Sequence, residues 1–168
     1  MVIGLINNNS IELYVKENKI AFKIQKEYDR IIIENIIWNN NDVFGCGLVY
    51  PPTNNSKEVP YIFFTQNGEK IGKAILLNKN YEDFKPFVAL KCCSVETNFG
   101  NDLKTKPFVY DFTKHINNQY SDFEKDLNEL VEMFPLIKKE GIKQFLLANG
   151  GIKENVLKKL NEIFPKYD

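Results

Sequence analysis

Residues 61–72 read YIFFTQNGEKIG, and this stretch says more about the chain than any other segment. Two apolar runs flank Asn67-Gly68, a pair that accepts the positive φ angles required by a tight type I′ turn. The stretch therefore predicts a β-hairpin with its turn at Asn67-Gly68. Because hairpins occur in many antiparallel folds, this one indicates a fold class and says nothing by itself about function.

The rest of the chain up to about Phe112 also has the pattern of short strands. Apolar residues alternate with polar or half-polar ones from Ile11 to Lys16 and again from Ile20 to Ile24, with a turn predicted at 17–19. Such alternation puts one set of side chains inward. Further strands are predicted at 31–38, 43–50, 61–65, 70–77, 87–92, 95–99 and 108–112. Many short strands between turn residues predict a mainly β chain with an antiparallel β-sandwich.

The pattern changes to helical spacing after Tyr120. Ser121-Asp122-Phe123-Glu124 has the form of a capping box and predicts a helix start at Ser121, with Pro135 ending that helix. A second helix is predicted to stop at Gly150-Gly151, and a third before Pro165. The predicted organisation is a sandwich at 1–112, a linker at 113–120 and a small three-helix bundle at 121–168.

Composition excludes several classes of function. The 168 residues carry 22 Lys+Arg and 22 Asp+Glu, so no basic surface for nucleic acid is expected. No run approaches membrane-spanning length, and the apolar start at 1–6 is too short for a signal peptide. The three cysteines are an odd number and are best read as reduced thiols. We therefore expect a cytoplasmic protein, with the nucleus left open.

No catalytic or metal-binding constellation is predicted. His115 is the single histidine and falls in the predicted linker, and Cys46, Cys92 and Cys93 have no metal-ligand spacing. Adjacent cysteines on a strand would point to opposite faces, which makes Cys92 and Cys93 poor candidates to bridge each other. Glu82-Asp83 could in principle serve a glycosidase, but adjacent carboxylates rarely converge on one bond. We expect no enzyme activity and no cofactor.

Three motifs, in the expected order, resemble those of SPRY domains. Residues 42–48 (DVFGCGL) resemble the "D-V-I-G-C-G" strand, and residues 63–72 resemble the "F-x-x-N-G-x-x-L-G" hairpin. Residues 95–100, followed by 106–108, resemble the closing "V-x-x-N-F-G … P-F" segment. The resemblance covers about residues 4–112. It implies a bent, concanavalin-like sandwich of two antiparallel sheets, without enzyme activity, that recognises a peptide or protein through its loops.

The resemblance also indicates which residues are scaffold and which are contact surface. It places one contact loop at Lys91, Cys92, Cys93 and Ser94 and another around Pro51–Lys57. The signature residues themselves are expected to be scaffold: Phe63, Phe64 and Phe99 as core, Gly45 and Gly47 as sites of close packing.

SPRY domains carry additional strands before the segment that residues 2–6 resemble. The chain is therefore expected to lack N-terminal strands and to expose a sheet edge or an apolar face. Two alternatives stay open beside peptide recognition: a structural piece of a larger protein, and a lectin-like sandwich that binds glycans.

A second resemblance lies in the predicted bundle. Met133-Phe134-Pro135, followed by Ile142, Gly151 and Leu160, looks like the CUE family of ubiquitin-binding domains, which are UBA-like. The resemblance implies that Met133, Phe134 and Pro135 contact the apolar patch of ubiquitin, with Leu160 nearby. Asn161 stands where the family has a second leucine. In the rival interpretation Phe134 caps the bundle core and Pro135 only ends a helix. With both resemblances, the predicted function is an adaptor.

Overall fold

The computed structural model describes residues 1–7, 10–24, 27–33, 36–50, 59–77, 83–112 and 119–164. Within these residues, two antiparallel sheets of five and three strands precede three helices. The strands are β1 (Val2–Ile6), β2 (Ser10–Tyr14), β3 (Lys19–Ile24), β4 (Glu27–Ile32), β5 (Phe44–Val49), β6 (Tyr61–Gln66), β7 (Glu69–Leu76) and β8 (Lys85–Ala89). The helices are α1 (Gln119–Met133), α2 (Lys139–Ala148) and α3 (Lys153–Ile163). This order confirms the predicted β part followed by a helical part.

The five-stranded sheet has the strand order β4-β3-β2-β1-β8. In β2, Ile11 and Leu13 are opposite Phe22 and Ile20 of β3, and all four side chains are buried. Glu12, between the two β2 residues, is partly exposed. The predicted alternation is therefore confirmed in β2, whereas in β3 Ala21, between Ile20 and Phe22, is buried as well.

The three-stranded sheet has the order β5-β6-β7, and the predicted hairpin joins its last two strands. Asn67 has a φ of 51° and Gly68 a φ of 87°, so both turn residues are in the region that a type I′ turn requires. A Cβ on Gly68 would also lie 3.1 Å from the carbonyl oxygen of Val109. Both the backbone angle and the close approach therefore favour glycine at this position.

Asp42 fastens this hairpin to the chain that precedes β5. Its carboxylate accepts hydrogen bonds from Asn67 Nδ2 at 2.8 Å, from the Asn39 backbone N–H at 2.7 Å and from Gln66 Nε2 at 2.9 Å. Asn67 Oδ1 in turn accepts the backbone N–H of Val43 at 2.8 Å. The hydrogen bonds from Asn67, Asn39 and Gln66 hold the pKa of Asp42 below its ordinary value. Asp42 and Asn67 thus have a structural role.

Two strands lie earlier in the chain than predicted. The strand expected at 31–38 is β4 at Glu27–Ile32, and the strand expected at 87–92 is β8 at Lys85–Ala89. Residues 27–30 have no apolar alternation, so the pattern could not reveal a strand there. The position of β4 is set by its pairing with β3, in which Glu27 lies opposite Ile24. An edge strand such as β4 accommodates charged residues because one side of its backbone faces solvent.

The strands predicted at 95–99 and 108–112 are wrong. Neither range contains a strand, and Phe99, expected in the core, is 60% exposed. The Asn98 side chain explains part of the difference: Nδ2 donates to the carbonyl oxygen of Lys106, and Oδ1 accepts the backbone N–H of Gly100. Such local bonds offer the backbone an alternative to a strand ladder.

The helices bury one apolar face each. Helix α1 begins at Gln119, so Ser121 lies inside it, and the predicted capping box and helix start are wrong by two residues. The end of α2 is as predicted: Gly150 and Gly151 have φ angles of 67° and 77°, and their N–H groups return to Leu147 and Leu146. The buried face comprises Phe123, Leu127, Leu130, Ile142, Leu146, Leu147, Val156 and Leu160.

The chain forms two compact units that do not follow chain order. One comprises Met1–Leu48, Ile62–Gly72 and Tyr81–His115, and the other comprises Val49–Tyr61, Lys73–Asn80 and Ile116–Asp168. In the second unit the Leu76 N–H donates to the carbonyl oxygen of Gly150 at 3.0 Å. The helices therefore share a unit with the end of β7. The domain boundaries at 112 and 121 stay a prediction.

Candidate binding surfaces

The connection between α1 and α2 contains the Met-Phe-Pro motif. The Phe134 N–H donates to the Leu130 carbonyl oxygen at 3.0 Å, which continues the helical pattern one residue beyond α1. The Ile137 N–H donates to the Phe134 carbonyl oxygen, also at 3.0 Å. Pro135 cannot donate, which explains why the helix ends at this point. The backbone of the connection is therefore fixed by its own hydrogen bonds.

The side chains of this connection are largely exposed although most of them are apolar. Met133 is 47% exposed, Leu136 is 99% exposed and Pro135 is exposed, whereas Phe134 is half-buried. We refer to Met133, Pro135 and Leu136 as the α1–α2 turn patch. An apolar group on a fixed backbone, without a core to enter, is a candidate contact surface.

Leu160 has a different role from the other predicted site residues. It is only 5% exposed and belongs to the buried face of α3. It can support a surface from inside but offers little area to a partner. Just beyond it, Ile163 and Phe164 are exposed. Leu136 was missed from the sequence, and the only signal for it is an apolar residue directly after a helix-ending proline.

Charged residues tie the helices to the end of β7 within the second unit. Lys73 Nζ lies 3.1 Å from Glu154 Oε1 and 3.8 Å from Asp126 Oδ2. Lys153 pairs with Asp126 at 3.4 Å and with Glu129. The hydrogen bond from Lys153 holds the pKa of Glu129 below its ordinary value. A cavity of about 220 Å³ beside Phe123 is lined by Lys73 and Asp126, and ion pairs already engage these two charges.

The loop predicted to contact a partner is an exposed bend. Lys91, Cys92, Cys93 and Ser94 follow β8, and all four are exposed. Cys92 has a φ of 58°, so the chain leaves the extended conformation at this residue. The bend has no aromatic side chain of the kind that dominates binding energy in protein interfaces. The other predicted loop, Pro51–Lys57, lies outside the described residues.

A second exposed apolar region of the first unit was not predicted as a site. A cavity of about 210 Å³ is lined by Leu103, Pro107, Phe108, Tyr110, Asp111 and Phe112. We call it the Phe108 cavity. Three of its apolar side chains, Leu103, Phe108 and Phe112, are exposed. Sequence reasoning missed it because a strand at 108–112 would have buried alternate residues of this set.

The Phe108 cavity has a defined frame despite its irregular backbone. The ring of Tyr110 lies 5.2 Å from the ring of Phe63 in β6, centroid to centroid. Partial burial raises the pKa of the Tyr110 hydroxyl, and the charge of Asp111 adds to the effect. Asp102 accepts the backbone N–H of Thr105 at 3.2 Å on the other side of the segment. Aromatic packing and local hydrogen bonds therefore hold the lining residues in place.

The described residues include no group of three or more His, Cys, Asp or Glu side chains placed to hold a metal ion. Cys46 is half-buried in β5, and burial raises the pKa of its thiol to about 12. Because the thiolate is the nucleophile, the raised pKa disfavours reaction of Cys46 near neutral pH. His115 lies outside the described residues, so its relation to any cysteine stays open.

The helices of the described part are all too short or too polar to cross a membrane. Comparisons of the chain with family models, with curated proteins and with solved structures found no match. The resemblances to SPRY and CUE domains therefore rest on the motifs quoted above.

Proposed function

We propose that the chain is a non-enzymatic interaction module that holds two partners. A SPRY-like sandwich would hold a peptide or protein, and a CUE-like three-helix bundle would hold ubiquitin or a domain like it. The observation that carries the proposal is the α1–α2 turn patch, where Leu136 is almost fully exposed three residues after the half-exposed Met133. Exposed apolar side chains that are grouped on a protein surface mark interaction sites more often than single ones do. The proposed compartment is the cytoplasm, and no cofactor is proposed.

Close approach of two strands supports the sandwich part of the proposal. Gly72 of β7 has a φ of 64°, and a Cβ on it would lie 3.2 Å from Ile20 Cδ1 of β3 and 3.3 Å from Ile33. The side chains of Ile20 and Ile33 therefore lie against the backbone of β7 at Gly72, an approach that face-to-face packing of two sheets would give. The bonds between Asp42 and Asn67 join two of the SPRY-like motifs and support the same interpretation.

The α1–α2 turn patch supports the ubiquitin part of the proposal. Met133 and Pro135 are exposed at the end of α1, which is where the CUE resemblance places its contact residues. Leu136 adds apolar area, whereas Asn161 replaces a leucine that the family uses. An interface of this size buries less than about 1,200 Å² and is weak by itself. A second partner on the same chain would raise the effective affinity through avidity.

Titration of isotope-labelled ubiquitin with the full chain tests this contact. We expect NMR shifts around the apolar patch of ubiquitin, and Leu136→Asp together with Met133→Asp should abolish them. Leu90→Asp is the matched control, because Leu90 is as exposed as Met133 but lies in the other unit. A chain concentration of about 1 mM detects even weak binding, with a free energy of about −4 kcal/mol. Unchanged ubiquitin spectra at that concentration would rule out the ubiquitin proposal.

Selection of displayed random peptides on the full chain tests the sandwich part. The Phe108 cavity has apolar and aromatic lining, so we expect enrichment of peptides with an apolar or aromatic anchor. Phe112→Ser should weaken the selected peptides at least about tenfold, the loss of one good anchor contact. Ile32→Ser, at a similarly exposed position of β4, should leave the affinity unchanged. Equal loss in both variants would argue against the cavity.

A further inference from the structure

Cys92 and Cys93 are adjacent, exposed and outside any strand. β8 ends at Ala89, and the chain leaves the extended conformation at Cys92, which has a positive φ. Neighbouring side chains point to opposite faces only where the chain is extended. Both cysteines lie beyond the end of β8, so the strand predicted through residue 92 is wrong and does not hold their side chains on opposite faces.

We propose that Cys92 and Cys93 form a vicinal dithiol that low-molecular-weight disulfides, such as glutathione disulfide, reversibly oxidise. One cysteine thiolate attacks a sulfur of glutathione disulfide, which forms a mixed disulfide and releases one glutathione thiolate. The neighbouring thiolate then attacks the protein sulfur of the mixed disulfide and releases the second glutathione. The protein gives up two electrons and two protons, and glutathione disulfide becomes two molecules of glutathione.

The short spacing of the two cysteines makes this bond reversible. Consecutive Cα atoms across a trans peptide lie about 3.8 Å apart, whereas the Cα atoms of ordinary disulfides lie about 4.4–6.8 Å apart. A bond between Cys92 and Cys93 is therefore strained, and strained, exposed disulfides are reduced more readily than structural ones. The pair is therefore suited to respond to the redox state of its surroundings and not to form a stable structural disulfide.

The third cysteine provides an internal contrast. All three thiols are free, but Cys46 is half-buried in β5, whereas Cys92 and Cys93 are exposed. Attack on a disulfide requires an accessible thiolate, so the oxidant should distinguish the two environments. The selectivity depends on exposure and adjacency alone, and it holds whether or not this loop contacts a partner.

Peptide mapping of the oxidised full chain tests the proposal. The chain is incubated with glutathione disulfide at neutral pH, its remaining thiols are alkylated, and it is then cleaved with trypsin. Cleavage after Lys91 and Lys104 puts Cys92 and Cys93 on one peptide, while Cys46 falls on the peptide 31–57. We expect the peptide 92–104 to lose the mass of two hydrogen atoms and to carry no alkyl group. Its oxidation should be at least about tenfold faster than the reaction of Cys46 with glutathione disulfide. Added glutathione should reverse the change.

Single variants separate ring closure from simple modification. Cys93→Ser should stop at a glutathione adduct on Cys92, and Cys92→Ser at an adduct on Cys93, because neither has a second thiol. Cys46→Ser should give the same oxidised peptide as the original chain. A lasting glutathione adduct on the original peptide, a disulfide-linked dimer, or two alkylated cysteines would each overturn the proposal.

Discussion

The hairpin at 61–72 and the segment at 95–112 are both rich in apolar residues, yet only the hairpin forms strands. Phe64 in β6 is fully buried, whereas Phe99 in the segment is 60% exposed. The hairpin strands pair with each other across a two-residue turn, and β5 pairs on the other side of β6. The segment is not paired in either sheet. Apolar content therefore predicts burial only where a neighbouring strand is available.

The two regions also use asparagine differently. Asn67 bonds to Asp42 and Val43, which lie outside the hairpin, so its side chain fastens the ladder without competing with it. Asn98 bonds to the backbone of its own segment, at Lys106 and Gly100. An asparagine side chain thus supports strand pairing at Asn67, whereas at Asn98 its hydrogen bonds compete with strand pairing. The difference lies in the position of the hydrogen-bond partners.

Removing one phenylalanine from each region should give the largest contrast. We expect Phe64→Ala to reduce the free energy of unfolding by about 3–5 kcal/mol, because it empties a fully buried site. Phe99→Ala should cost less than about 0.5 kcal/mol, as surface substitutions usually do. Urea unfolding followed by circular dichroism measures both. Comparable losses in the two variants would mean that Phe99 is buried in solution.

A second contrast concerns the glycines. Gly68 and Gly100 both have positive φ angles, of 87° and 94°. We expect alanine at either position to destabilise by about 1–2 kcal/mol through the backbone alone. Gly68→Ala should cost more than Gly100→Ala, since its Cβ would lie 3.1 Å from a backbone oxygen, against 3.6 Å from the movable ring of Phe108. Thermal unfolding of the two variants would show the order, and the reverse order would contradict the turn geometry.

Acid pH should weaken both regions through their aspartates. Hydrogen bonds from Asn67, Asn39 and Gln66 hold the pKa of Asp42 below its ordinary value, and those from Thr105 do the same for Asp102. A lowered pKa in the folded state adds stability above the unfolded value, and this stability is lost as the pH falls through the folded value. Asn67→Ala should raise the pKa of Asp42 and leave that of Asp102 unchanged. Carboxyl NMR titration would detect this, and an unchanged Asp42 would refute the network.

The smallest effect is expected at the ion pair between Lys106 and Glu96 in the irregular segment. Both side chains are more than half exposed. Lys106→Ala should change the free energy of unfolding by less than about 1 kcal/mol, because solvent screens exposed pairs. Unfolding at low and high salt provides the check. A larger, salt-sensitive loss would show that the segment depends on charge as well as on Asn98.

Much of the fold could be predicted because its signals are local. The Asn67-Gly68 turn, the alternation in β2 and the glycines after α2 each depend on a few consecutive residues, and all were confirmed. The position of β4 could not be predicted from its own residues. Its polar sequence becomes a strand only because β3 supplies a partner of fixed register.

The candidate site was predictable to a smaller degree. The Met-Phe-Pro motif marked the end of α1, but only the structure distinguishes exposed Met133 from buried Leu160, because both are large apolar residues at helical spacing. Leu136 and the Phe108 cavity carried no motif. Their exposure depends on which neighbours fail to cover them, and a single sequence does not record neighbours.

Local patterns in the sequence were enough to predict where the chain turns, where helices replace strands and which residues resemble known motifs. These features depend on the conformational preferences of a few consecutive residues. Long-range packing, by contrast, brings Asp42 to Asn67, leaves residues 95–112 without a strand and places Cys92 and Cys93 in an exposed bend. Such outcomes depend on residues distant in sequence, because a long-range hydrogen bond or buried contact forms only when folding brings the two residues together.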